Sequence, residues 1–308
     1  MALTIVEAAK LNPGEVIRNA VIELYAGSSD ILANLPFESI SGNALKYNRE
    51  EAYPGVGFRG VNEAYTASTG VINPLTESLY IAGGDLDVDK FIIDTMGANQ
   101  RAVHEAMKVR ALSLSWTQNF IKGDAASDPR EFDGLQVRLT GNQLIAAGAT
   151  ANGTALSLIM LDQAIDQTLN PTHLIMSKAM ARKFSAAARL STVGGYVTYE
   201  LGALGRRVMR YNDLPILTVD LDAAGTAILP FTEAATSGTA TATSIYIVSM
   251  GADSLTGIQN GGIDVRDLGE LPTAPVFRTR VEWYNGIAMF NGRSATRLWS
   301  IADSAITA

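Results

Sequence analysis

Cysteine is absent from the 308 residues, which excludes disulfides, thiolate nucleophiles and Cys-zinc sites. Histidine occurs only at His104 and His173, too few for a His-rich metal centre. Charged residues make up only 18% of the chain, and Lys and Arg never gather into a basic tract; the densest group is Arg206, Arg207 and Arg210. With a net charge of −7, the chain is not expected to have nucleic-acid binding as its primary task, because phosphate contacts need clustered cations. No run of about 18 apolar residues occurs, so no transmembrane helix is expected. The start, MALTIVEAAKLNPGE, lacks the basic segment and long apolar run of a secretory signal, and a soluble protein of intracellular origin is expected. The GxSxG, P-loop and HExxH patterns are missing.

The patterns that do hint at chemistry have simpler readings. Gly55-Val56-Gly57-Phe58-Arg59-Gly60 matches GxGxxG, but Pro54 precedes it and no helical periodicity follows, so it reads as flexible chain. Asp85, Asp87 and Asp89 alternate without the spacing of a calcium loop and read as helix caps. Asp124, Asp128, Glu131 and Asp133 read as solvated turn residues. No catalytic, metal or cofactor site is assigned.

One stretch, residues 86–122, dominates the pattern. Apolar residues at Val88, Ile92, Met96, Val103, Met107, Leu114 and Ile121 recur at helical spacing. The spacing predicts one helix of roughly 50 Å, with Ile92, Met96, Val103, Met107 and Leu114 facing the core. Gly97 is its weak point, and Gly123 is expected to end it in the left-handed conformation. Before it, residues 37–49 and 75–84 read as strands around a middle rich in Gly, Ser, Thr and Asn. This predicts a long hairpin arm, whose length is functional rather than structural. Tyr53, Phe58 and Tyr65 are its expected apolar contacts and Arg59 its ion-pair partner. Residues 1–36 read as short helices with too little apolar surface for their own core.

After the helix come a turn-rich loop and an alternating α/β block. Leu158 to Leu169 is a helix, His173–Met176 a strand, and Ser177 caps a second helix through Ala188. Val208–Tyr211, Leu214–Val219 and Ser244–Met250 are strands, and residues 232–244 a low-complexity loop. From Gly261 the pattern is β, with Asn285–Gly286 a local hairpin signal.

The order of these elements is similar to that of tailed-phage major capsid proteins of the HK97-like fold. Phe120–Leu135, FIKGDAASDPREFDGL, resembles the loop that follows the long helix in that family. Residues 210–219, RYNDLPILTV, resemble one of its strands, and IDVRDLGEL with Arg280–Tyr284 its closing region. The resemblance implies an α+β fold with a spine helix and an extended arm, the E-loop. It implies an N-terminal arm over 1–36 and an E-loop over 37–84. A peripheral domain would take 85–151 and 253–308, and an axial domain 152–252. It further implies a structural, non-enzymatic subunit without cofactor. Such subunits form pentamers and hexamers of an icosahedral shell that encloses phage double-stranded DNA without sequence-specific binding and without membrane contact. Scaffold, portal and decoration proteins are possible partners, the location is the virion, and assembly takes place in the host cytoplasm. In some members an arm lysine forms an isopeptide bond with a neighbour; Lys46 sits near the arm's base, so the cross-link is not carried over. With 36 residues ahead of the arm, the chain is expected to be mature or to use a separate scaffold. An encapsulin-like nanocompartment shell is the alternative within the same architecture, and a soluble enzyme with an acidic site the alternative outside it.

Overall fold

A computed structural model describes residues 29–96, 99–189, 197–201, 207–236, 238 and 240–307. The helices expected within residues 1–28, together with Gly97, Gly194, Gly195, Gly202 and Gly205, lie outside these residues. The first described element is a short helix, α1 (Asp30–Asn34), closed by Asn34 Nδ2 donating to the Asp30 carbonyl at 2.7 Å. Ile31, Leu32 and Leu35 are fully buried in the main core. Residues 30–35 have too little apolar surface for a core of their own, and the rest of the chain supplies the partner. Three large aliphatic side chains on one turn find their apolar surroundings within the subunit.

The stretch 86–122 divides. Its first residues belong to a strand, β4 (Tyr80–Asp89), which pairs antiparallel with β13 (Val276–Met289). Two helices follow, α2 (Lys90–Met96) and α3 (Asn99–Lys122). Asp89 Oδ1 accepts from Phe91 N at 2.8 Å and is the one true cap of the three alternating aspartates. The 24 residues of α3 span about 36 Å at 1.5 Å per residue.

The helix also turns a different face inward from the one expected. Val109, Ser113, Trp116, Thr117, Phe120 and Ile121 are buried, while Val103 is 53% and Met107 62% exposed. Ile92 and Leu114 are half-buried, and the side chain of Met96 lies outside the described residues. The physical reason lies under the first half of α3, where the strand carries Gly83 and Gly84. Long polar side chains cover that surface instead of aliphatic ones. Arg101 reaches Thr279 Oγ1 at 2.7 Å and Asp267 at 2.6 Å, with its guanidinium 5.8 Å from the Phe277 ring centre. A Cβ on Gly84 would come within 2.7 Å of Lys108 Nζ. One continuous face thus runs from Arg101 through Lys108 to Phe120, polar first and apolar later, and a search for apolar spacing misses its start.

The first sheet has the order β1-β12-β13-β4, with β1 (Phe37–Ser39) parallel to β12 (Leu255–Glu270). Asn285–Gly286 is not a turn but lies inside β13. Asn285 is fully buried; its Oδ1 accepts from Trp116 Nε1 at 3.1 Å and its amide donates to the Trp283 carbonyl at 3.2 Å. An Asn that satisfies a buried indole has no freedom to form a hairpin. Around this bond Trp116 packs on Phe120 and Trp283 with centroids 5.2 and 6.0 Å apart, and Phe37 lies 5.2 Å from Trp283.

The second sheet runs β5-β14-β11-β6-β9-β8-β7, with β10 (Glu233–Ala234) paired to β11. Its members are β5 (Leu144–Ala146), β6 (His173–Ser177), β7 (Val197–Leu201), β8 (Arg207–Tyr211), β9 (Leu214–Val219), β11 (Ala240–Val248) and β14 (Ala295–Ala302). Residues 240–243, expected as loop, are strand, with Ala242 and Thr243 fully buried. Alternate residues face two cores: Leu174 and Met176 pack with α5 (Leu158–Gln167) and α6 (Lys178–Ala187), and Ile175 with α3. A sheet covered on both faces reads as unbroken apolar runs, as in Ser244–Val248. Ser177 caps α6 as expected, its Oγ accepting from Met180 N at 3.2 Å. The divisions at 151/152 and 252/253 cut through this sheet, since β5 and β14 hydrogen-bond into it from the expected peripheral side.

Candidate assembly interface

Between β1 and β4 the chain leaves the body as a two-stranded hairpin. Strand β2 (Ala44–Ala52) pairs antiparallel with β3 (Val71–Ser78), in register from Ala44↔Ser78 to Glu50↔Ile72, with a bulge before Ala52↔Val71. The arm is shorter than the expected 37–84 because both flanks are claimed by the first sheet. A two-stranded ribbon has no core of its own, so its base needs an anchor.

That anchor was not legible in the sequence. Arg138, at the end of the short helix α4 (Leu135–Arg138), donates two parallel bonds to Glu77 at 2.6 and 2.8 Å. Tyr47 Oη donates to the Met289 carbonyl at 3.1 Å and to Glu77 Oε1 at 3.3 Å, and its ring meets Phe290 edge-on at 4.9 Å. Burial, then the neighbouring Glu77 carboxylate, pushes the Tyr47 phenol up to about 12, so it remains a donor. Burial alone would lower the Arg138 pKa, but the bonds to Glu77 raise it. Arg138→Met should leave the largely buried Glu77 carboxylate unpaired and cost about 2 kcal/mol. Urea unfolding of the unassembled subunit checks this, and faster proteolysis near residue 79 would report the released arm.

The loop that carries α4 is closed by two glycines pressed together. Gly134 N donates to the Gly123 carbonyl at 2.8 Å. A Cβ on Gly123 would stand 2.3 Å from the Phe132 carbonyl oxygen. Gly123 is required by this close approach; it does not adopt the expected left-handed conformation. Asp124 accepts from Ala126 N and Ser127 Oγ, and Asp133 from Ala125 N, as turn residues do. Among the described residues no cluster of His, Asp or Glu could hold a metal.

The arm's tip, residues 53–70, is exposed throughout. Tyr53 is 83%, Phe58 108% and Tyr65 68% exposed, and Val56 and Val61 are equally open. The tip holds itself together: Ser68 Oγ donates to the Gly55 carbonyl at 2.9 Å, Gly60 N to Glu63 Oε2 at 2.7 Å, and Arg59 to the Glu63 carbonyl at 3.2 Å. The Arg59 guanidinium lies 5.1 Å from the Tyr65 ring centre. The GxGxxG segment is part of this loop; strand β2 ends at Ala52 just before it, but no helix follows it. On the body, Ile81, Phe91, Val103 and Met107 are also exposed. Among the described residues, eleven large apolar side chains are left bare on arm, strand and spine, Val71 and Ile72 included. Large contiguous exposed apolar patches are a general feature of association faces.

The outer face of β4, β13 and β12 is a ladder of ion pairs. Asp85 takes two bonds from Arg280 at 2.6 and 2.8 Å, Asp87 two from Arg278 at 2.6 Å, and Arg266 engages Asp264 and Glu282. The hydrogen bonds from Arg280 and Arg278 hold the Asp85 and Asp87 carboxyls below their usual range. Sequence reasoning assigned these aspartates to capping because their arginine partners lie about 190 positions away in the chain.

His173 begins β6. Burial, aided by Arg210, lowers its pKa from 6.5 to about 4, and its Nδ1 lies 2.9 Å from Thr172 Oγ1. The fold therefore holds the neutral ring, while the unfolded chain takes up a proton below pH 6.5. The contribution of His173 to stability is fully present above pH 6.5 and is lost progressively as the pH falls from there towards about 4. His173→Gln should flatten that slope in urea titrations at pH 7, 5.5 and 4.5. The Asp85 and Asp87 pairs, with depressed values, lose their contribution only at still lower pH.

Comparison with known proteins bears on the whole arrangement. The family described as major capsid protein GP7 matches residues 12–173. Comparison with curated proteins returns no match. Among solved structures, the SrpI encapsulin complex of Synechococcus elongatus is 15% identical with a TM-score of 0.62, over 90% of this chain and 89% of that one. The capsid of a native GTA particle is also 15% identical with a TM-score of 0.62, over 89% and 91%. A structure from Microbacterium phage Oxtober96 is 10% identical with a TM-score of 0.63, over 89% and 90%. At these identities the likeness is one of fold, and that fold is the HK97-like one.

Proposed function

The chain belongs to the major capsid protein GP7 family, and we propose that it builds its shell by laying its arm on a neighbouring copy. It is a structural major capsid protein of the virion. The observation that carries the arm's role is the contrast between its two ends. The base is locked to the body by Glu77, Arg138 and Tyr47, and the tip leaves Tyr53, Phe58 and Tyr65 exposed. A rigid base with a bare aromatic tip is the form of an element that reaches a partner. Aromatic and Arg side chains are the types that most often dominate interface energies, so Arg59 joins the three aromatics as a contact.

In this reading the copies form closed pentamers and hexamers, since head-to-tail contacts that close generate rings. Val103 and Met107, exposed on the spine, become intersubunit surface. The acidic chain encloses double-stranded DNA without sequence-specific binding, with assembly in the host cytoplasm and with scaffold, portal or decoration proteins as partners. The α5–α6 block forms the axial part of the subunit. An encapsulin shell shares the fold, but the family match favours the genome shell. The test is Phe58→Ala with Tyr65→Ala: subunits should stay folded by circular dichroism while particle yield falls at least tenfold in sedimentation. Unchanged yield would remove the tip from the contact.

A further inference from the structure

A groove of about 620 Å³ opens at the edge of the second sheet, between α6 and the β7–β8 hairpin. That size suits a small ligand; binding pockets fall at about 300–1,000 Å³. Its rim carries Lys178 and Arg182 from one face of α6, one turn apart, and Arg207 from β8. Ala181 and Met209 form its apolar wall.

The polar lining is almost wholly of donors. Asp220 is the one carboxylate among the described lining residues, and Lys178 already binds it. Tyr199 Oη donates to Ser185 Oγ at 3.2 Å, which leaves the serine proton to point elsewhere. The Arg207 guanidinium lies 5.1 Å from the Tyr199 ring centre. Arg182 meets no carboxylate among the described residues. Three cations against one engaged carboxylate leave a local charge of +2 in a chain whose net charge is −7. A guanidinium offers five donors in a planar fork and accepts nothing, so the complement of this groove is an anion with several oxygens spread over a few ångströms. A single carboxylate would leave most of these donors unmet.

We propose that this groove binds a multiply charged phosphate anion, held by Lys178, Arg182 and Arg207 with Ser185 as a further donor. The ligand is either a free polyphosphate or the phosphate backbone of a nucleic acid. Neither source depends on how the arm assembles the shell, so binding is measured on unassembled subunits.

The experiment is thermal unfolding of the full chain against increasing sodium tripolyphosphate, repeated for Arg182→Gln, Arg182→Glu and Arg207→Glu. Arg130→Glu, in an exposed loop elsewhere, is the control. The expected result is a saturable rise in Tm, weakened at least tenfold in apparent affinity by each groove variant and unchanged in the control. Competition by a 20-base-pair DNA duplex would assign the site to nucleic-acid backbone; its absence would assign it to free polyphosphate. A rise that never saturates, or equal weakening in Arg130→Glu, would overturn the proposal as a general charge effect. No rise together with failed assembly of Arg182→Glu would overturn it too, and would give the groove to a neighbour's carboxylate.

Discussion

Replacing residues 53–70 with a short Gly-Ser linker is expected to leave subunit stability within about 0.5 kcal/mol of the parent chain and to abolish closed particles. The first half follows from burial. Every residue of the segment is exposed, and the bonds of Arg59, Gly60 and Ser68 stay within the tip itself. The anchor at Tyr47, Glu77 and Arg138 lies outside the replaced stretch and keeps the shortened hairpin in register. The second half follows from what is removed: Tyr53, Val56, Phe58, Arg59, Val61 and Tyr65, none of which has an intramolecular use beyond the tip. Circular dichroism and electron microscopy of one variant read both halves. Normal particles would show that the arm's tip does not join subunits. An unfolded variant would show that the tip belongs to the body.

The second large effect separates two residues of the same helix. Trp116→Ala should destabilise the unassembled subunit by about 3–5 kcal/mol. It removes the ring that packs on Phe120 and Trp283 and leaves the fully buried Asn285 without its indole partner. Met107→Asp, nine positions earlier, should change stability by no more than about 0.5 kcal/mol, because that side chain is 62% exposed. Assembly should still suffer in Met107→Asp, since a charge would replace an apolar group on a surface assigned to a neighbour. Urea titration of the two variants decides the helix phase. Equal destabilisation would mean that Met107 faces the core.

Met107 also shows where sequence reading reaches its limit. Helical spacing found α3 and the turn-rich loop after it, because periodicity is a local property. The face was misjudged because the surface beneath the first turns of α3 is a glycine strand, visible only once β4 and β13 are paired. The same non-locality hid Asp85–Arg280, Asp87–Arg278 and Glu77–Arg138, whose partners lie 195, 191 and 61 positions apart. Asn285–Gly286 has the composition of a turn, yet the buried Trp116 indole fixes it in a strand. The arm, in contrast, was legible from composition: a stretch rich in Gly, Ser and Asn with three isolated aromatics cannot form a core. Its exposed tip is where the reading from residues and the geometry meet.

Electron microscopy of the purified 308-residue chain is the most direct test of the central claim, that this subunit closes into a shell through its arm. The account predicts closed particles of uniform diameter with five-fold vertices, in which density for residues 53–70 lies against an adjacent copy. Small oligomers without closed particles, or closed particles in which each arm folds back on its own subunit, would contradict it.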